Sequence, residues 1–83
     1  MDYSFSKYAY REFQQLPKEI QLRIIKKLIF YLAQKDPLTY AKLIVGGDGT
    51  IYRFRIGDYR LIFEYTEKEV FVLRVATRGS VYR

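Results

Sequence analysis

Near the middle of the chain the spacing of apolar residues changes from about four to two, and that change sets the order of the elements, helices first and sheet second. Ser6 sits where a helix N-cap belongs, and Ala9, Phe13 and Leu16 beyond it fall on one face. A first helix is therefore predicted over Lys7 to Gln15, after a short strand at Met1 to Phe5. Pro17 cannot continue that helix without losing a backbone donor, but it suits the first turn of a second helix, running roughly to Gln34. In that helix Ile20, Ile24, Leu28 and Leu32 recur every four residues, with Ile25 and Ile29 widening the stripe, so the two helices are expected to pair as a hairpin. Asp36-Pro37 ends the helical half.

The second half reads as strands. Ile51 to Ile56 and Tyr59 to Tyr65 alternate apolar and polar around Gly57-Asp58, a two-residue hairpin turn with glycine in the first central position. That turn sets the register: Ile56 faces Tyr59, Phe54 faces Leu61 and Tyr52 faces Phe63 on one side, with Arg55 against Arg60 and Arg53 against Ile62 on the other. A third strand, Val70 to Thr77, returns after a polar turn at Thr66 to Lys68. Keeping Phe71, Leu73 and Val75 in the core puts Arg74 beside Arg60, and continued pairing brings Arg78 to the same side. Arg53, Arg55, Arg60, Arg74 and Arg78 then gather on one face. The run Gly46-Gly47-Asp48-Gly49 reads as a plain connector, because it lacks the Lys-Ser/Thr ending of a nucleotide loop and leads into no helix.

A chain of 83 residues has room for one core, so residues 1–83 are read as a single domain whose nine Tyr and six Phe supply much of the buried area. The absence of cysteine excludes disulfides, thiolate metal sites and a cysteine nucleophile. No apolar stretch is long enough for a membrane span, and Met1 to Ser6 has neither the basic start nor the apolar run of a signal peptide, so a cytoplasmic protein is expected.

Fifteen Lys and Arg against nine Asp and Glu give a net charge of +6, which attracts polyanions. Lys18, Arg23, Lys26 and Lys27 lie largely off the apolar stripe of the second helix and are read as a solvated face with at most auxiliary contacts. The strand arginines are different. Directly opposed like charges destabilise a sheet, so Arg55 against Arg60 implies a compensating anion. The guanidinium fork binds phosphate bidentately and stacks on unpaired bases, which suits RNA. The competing reading, a solvated outer face with Glu64 as counter-charge, is the less favoured. The chain has no histidine, so any catalysis must come mainly from positioning and charge.

Lys42-Leu43, a glycine-containing loop, the stretch YRFRIGDYRLIF, and RVATRGSVYR after one more strand together resemble the core pattern of the RelE/ParE superfamily of toxin-antitoxin toxins, over essentially the whole chain. The resemblance implies an α+β fold of order β-α-α-β-β-β, a helical hairpin packed on a small, mostly antiparallel twisted sheet. It implies a RelE-type endonuclease that cuts mRNA in the ribosomal A site by attack of the 2′-hydroxyl on the adjacent phosphate, inhibiting translation without metal or cofactor. By position, Arg53, Arg55, Arg74 and Lys42 are the expected RNA-binding residues. Arg60 and Arg78 are the expected phosphate-binding and transition-state arginines, and Tyr82 stacks on a base or takes the proton. As a base, Tyr82 needs Arg78 and Arg60 to lower its pKa from about 10. Thr77 and Gly79 depart from the family, standing where many relatives carry basic residues. Arginine at 53 and 55, where relatives often have lysine, cannot serve as a base.

The implied partners are a cognate antitoxin, whose amphipathic helix or extended strand masks the basic groove, and mRNA on the ribosome, with operator DNA reached only through the antitoxin. Two alternatives share the fold: a ParE-like inhibitor that binds DNA gyrase without nuclease chemistry, and an inactive relative that keeps RNA affinity.

Overall fold

The computed structural model describes residues 1–44 and 50–77. Strand β1 (Asp2–Phe5) leads directly into helix α1 (Lys7–Gln14), and Ser6 is the hinge between them. Its hydroxyl accepts a hydrogen bond from the Ala9 amide at 3.0 Å, which caps the helix. Its amide donates to the Val72 carbonyl at 2.8 Å and its hydroxyl to the Leu73 carbonyl at 3.3 Å, so the capping residue also docks the helix on a strand distant in sequence. Pro17 stands as N-cap of helix α2 (Lys18–Leu32), one position ahead of the place expected for it. The joint is tied by Gln21, whose amide group donates to the Leu16 carbonyl at 2.8 Å.

Five strands make one sheet in the order β1-β5-β4-β3-β2, where β2 is Ala41–Leu43, β3 Ile51–Ile56, β4 Tyr59–Tyr65 and β5 Glu69–Thr77. β1 runs parallel to β5 and the other pairs are antiparallel, so the sheet is mixed and the class is α+β, as expected. The β3-β4 register is the expected one throughout. Gly57 has φ +59° while no other described residue has positive φ. Positive φ at the first central position alone is the pattern of a type II′ turn, whose twist matches that of the flanking strands.

The core lies between the helices and one face of the sheet. Ala9 and Phe13 come from α1, and Ile24, Leu28, Tyr31 and Leu32 from α2. They meet Phe54, Ile56, Leu61, Phe63, Val70, Val72 and Val75 of the sheet. Phe54 stacks on Phe63 at 4.4 Å between centroids and packs against Tyr31 at 4.7 Å. Truncating either fully buried phenylalanine to alanine removes about 3–5 kcal/mol.

Three expectations are corrected. The fold has an additional short strand, β2, pairing with the outer edge of β3, where no alternating run was long enough to announce it. Ile29 is 55% exposed, because α2 buries a narrower stripe than its sequence offers. In β5 the core residues are Val70, Val72 and Val75, while Phe71 and Leu73 are only half-buried. The cause is a β-bulge: Ile62 faces Arg74 but Phe63 faces Val72, leaving Leu73 as an extra residue. The bulge switches the inward parity from even to odd numbers after Val70 to Leu73, four consecutive apolar residues in which alternation could not reveal the inward face. The connector Gly46-Gly47-Asp48-Gly49 lies outside the described residues.

Candidate nucleic-acid interface

With Phe54, Ile56, Leu61 and Phe63 turned toward the helices, the alternation of a pleated strand sends Arg53, Arg55, Arg60 and Ile62 to the opposite face. β2 extends that face, since its register sets Lys42 opposite Arg53. One row across the sheet therefore reads Lys42, Arg53, Ile62 and Arg74, and the next reads Arg55, Arg60 and Ala76. Lys42, Arg53 and Arg55, together with Tyr40, line a cleft of about 80 Å³. Glu64, the candidate counter-charge, lies opposite Ile51 and Phe71, away from the Arg55-Arg60 pair.

The middle of this face is partly dry. Ile62 and Ala76 are buried although neither belongs to the core cluster. Arg60 stands opposite Ala76 and is half-buried, with its Nε and Nη1 atoms shielded from solvent. A guanidinium in such a place is screened less by water and salt than one on an open surface, so its attraction for a phosphate is stronger. Arg55, directly across from Arg60, is exposed.

Arg74 is on the same face but not beside Arg60. The bulge sets it opposite Ile62, and its guanidinium is committed to helix α1. Glu12 accepts hydrogen bonds from Arg74 Nε at 3.1 Å and Nη2 at 3.0 Å, and from the Val75 amide at 2.8 Å. Tyr8 lays its ring 4.9 Å from the guanidinium carbon. Donating these hydrogen bonds to the Glu12 carboxylate raises the pKa of Arg74 above its ordinary value, against the opposing effect of burial. β1 ends at Phe5, opposite Val72, and the Glu12 carboxylate takes the next stretch of β5 edge. Arg74 thus fastens the helix to the sheet. Sequence reasoning missed Glu12, since its partner is 62 residues away and nothing local in α1 marks it.

Tyr31 and Tyr40 were missed as well. Tyr31 donates a hydrogen bond to the Arg55 carbonyl at 3.2 Å, holding α2 to β3 directly behind the basic cleft. Burial, and secondarily its neighbour Tyr40, raises its pKa above the ordinary 10.0, so it remains a neutral donor. Arg78 and Tyr82 lie outside the described residues. Among the described residues there is no group of three or more carboxylates placed to hold a metal ion, and no helix is long and apolar enough to cross a membrane.

The family described as the ParE toxin of the type II toxin-antitoxin system parDE matches the chain over residues 3–82. The chain belongs to this toxin family, within the RelE/ParE superfamily. Solved structures agree on the fold. The toxin is similar to a chain of the RelBE2 toxin-antitoxin complex from Mycobacterium tuberculosis, with TM-score 0.79 and 25% identity over 93% of this chain and 96% of that one. It is similar to the isolated RelE toxin of E. coli, with TM-score 0.76 and 22% identity over 98% and 87% of the two chains. It also resembles a chain of the archaeal RelE-RelB complex from Pyrococcus horikoshii, with TM-score 0.69 and 26% identity over 96% and 97%. No curated protein matches the sequence of the toxin closely enough to count as a relative.

Proposed function

We propose that this toxin is a RelE-type endoribonuclease that cuts mRNA on the ribosome without a metal ion, and that Lys42, Arg53 and Arg55 hold the RNA backbone while Arg60 binds the scissile phosphate. The observation that carries the reading is the convergence of Lys42, Arg53 and Arg55 on one cleft, with half-buried Arg60 across from Arg55. In the reaction the 2′-oxygen forms a bond to the adjacent phosphorus as the bond to the 5′-oxygen of the next nucleotide breaks. The 2′-hydroxyl gives up its proton and the leaving 5′-oxygen gains one. Arg60 and Arg78 stabilise the charge that grows on the phosphate oxygens, and Tyr82 stacks on a base or takes the proton. With no histidine in the chain, in-line positioning among fixed cations carries the acceleration. The partner is a cognate antitoxin, as in the toxin-antitoxin complexes of similar fold.

The family match, to ParE toxins, favours a second reading of the same face, as a surface that binds DNA gyrase and performs no nuclease chemistry. Induced expression separates the two. Wild type and Arg60→Ala are expressed without antitoxin, growth is followed, transcripts are mapped by primer extension and plasmid supercoiling is measured. Arrest by wild type with cuts inside translated codons, relieved in Arg60→Ala, is the expected result. Arrest with intact transcripts and altered supercoiling overturns the nuclease reading in favour of gyrase.

A further inference from the structure

Tyr40 is the exposed aromatic side chain that borders the basic cleft among the described residues. Its ring is 50% exposed, yet it rests against Tyr31 at 5.2 Å and Phe30 at 6.0 Å between centroids, with interplanar angles of 32° and 37°. Tyr31 is itself fixed, by its packing on Phe54 and its hydrogen bond to the Arg55 carbonyl. Lys27 lies over this cluster, with Nζ 5.4 Å from the Phe30 centroid and 5.8 Å from that of Tyr31. The ring thus has one side supported by packed aromatic neighbours while about half of the residue's surface stays open to solvent. Tyr40 is also a wall of the cleft lined by Lys42, Arg53 and Arg55. Ala41 faces Phe54, so the antiparallel register carried back one residue brings Tyr40 level with Arg55.

An aromatic face held in place next to a cluster of cations is the arrangement that binds one unpaired nucleotide, the base on the ring and its phosphate on the cations. The low cost of ordering a ring that is already packed favours binding further. Resting on the RNA-binding reading above, we propose that Tyr40 is a base-stacking platform, and that with Lys42 and Arg55 it forms a subsite for a nucleotide flanking the cleaved bond. Stacking has no donor-acceptor code, so this subsite adds affinity and register along the strand without choosing the base.

The test is fluorescence anisotropy of a labelled single-stranded hexaribonucleotide, titrated with wild type, Tyr40→Phe, Tyr40→Leu, Tyr40→Ala and Arg55→Ala at several salt concentrations. Tyr40→Leu keeps apolar packing on Tyr31 and Phe30, and circular dichroism melts confirm that each variant is folded. Tyr40→Phe is expected to bind as wild type does. Tyr40→Leu and Tyr40→Ala are expected to bind about tenfold more weakly with an unchanged salt slope, because stacking releases no counterions. Arg55→Ala is expected to weaken binding with a shallower slope. Should the Leu variant equal wild type while Arg55→Ala is weakened, the platform is refuted and the basic cleft stands. If wild type does not bind RNA, or Arg55→Ala binds as wild type does, the RNA reading falls with it. If Tyr40→Leu leaves RNA affinity intact but weakens capture of an acidic antitoxin segment, the ring belongs to a protein interface instead.

Discussion

Replacing Glu12 with alanine removes two interactions of different kinds, and the structure says how the loss divides. The Val75 amide, 2.8 Å from Oε1, belongs to a residue only 4% exposed on a strand edge that β1 no longer covers. Leaving that donor unsatisfied costs about 1–3 kcal/mol. The ion pair to Arg74 is bidentate, but the arginine side chain is 40% exposed, so solvent screening holds its share to about 0.5–1 kcal/mol. The sum for Glu12→Ala is about 1.5–4 kcal/mol, and at ~4–8 °C per kcal/mol for a domain of this size the melting temperature falls by about 6–32 °C. Arg74→Ala leaves Glu12 bonded to the Val75 amide and loses only the ion pair and the contact with Tyr8. Its cost is about 1–2 kcal/mol. Urea denaturation of the two single variants and the double variant closes the cycle, with a coupling energy of about 0.5–1 kcal/mol. Hydrogen exchange adds a local readout, since the Val75 amide should lose protection in Glu12→Ala and keep it in Arg74→Ala. An arginine variant as damaging as the glutamate variant, or a Val75 amide still protected without Glu12, would show that the carboxylate is not what satisfies the strand edge.

Two further predictions concern the sheet and its support. Arg55→Gln relieves a directly opposed like-charge pair, so it should stabilise the fold by about 0.2–1 kcal/mol at low salt and much less at 1 M salt, while weakening RNA binding; paired melts and binding titrations check both signs. Tyr31 has its pKa raised by burial, so above about pH 10 the unfolded chain loses this proton before the folded one does and stability falls as pH rises. Tyr31→Phe should cost about 1 kcal/mol at neutral pH through the lost bond to the Arg55 carbonyl. Its deficit should shrink as the pH passes 10, and urea midpoints measured on both sides of that value test this.

What could be read in the sequence is what local chemistry encodes. A serine before a helical stripe, a proline at a joint, a glycine at a type II′ turn and clean period-two alternation each act over a few residues. They located both helices and the β3-β4 hairpin, with the Arg55-Arg60 pair in register. The resemblance to toxins added Lys42 to the candidate site, although nothing in three residues of β2 marked a strand. Where the apolar run of β5 offered both parities, no pattern could choose between them. Packing chose, through the bulge at Leu73, and thereby moved Arg74 from beside Arg60 to a place opposite Ile62.

The sequence by itself determined a basic α+β fold, the order of its two helices and its longer strands, and the face on which the hairpin arginines stand, because periodicity and turn chemistry are properties of neighbouring residues. Only the tertiary structure decided which cations share a cleft, which arginine is spent on holding a helix, and that Tyr40 stands beside the cleft on a fixed aromatic stack. Those outcomes depend on contacts between residues far apart in the chain, where strand order, edge coverage and the closeness of packing set each side chain's partners.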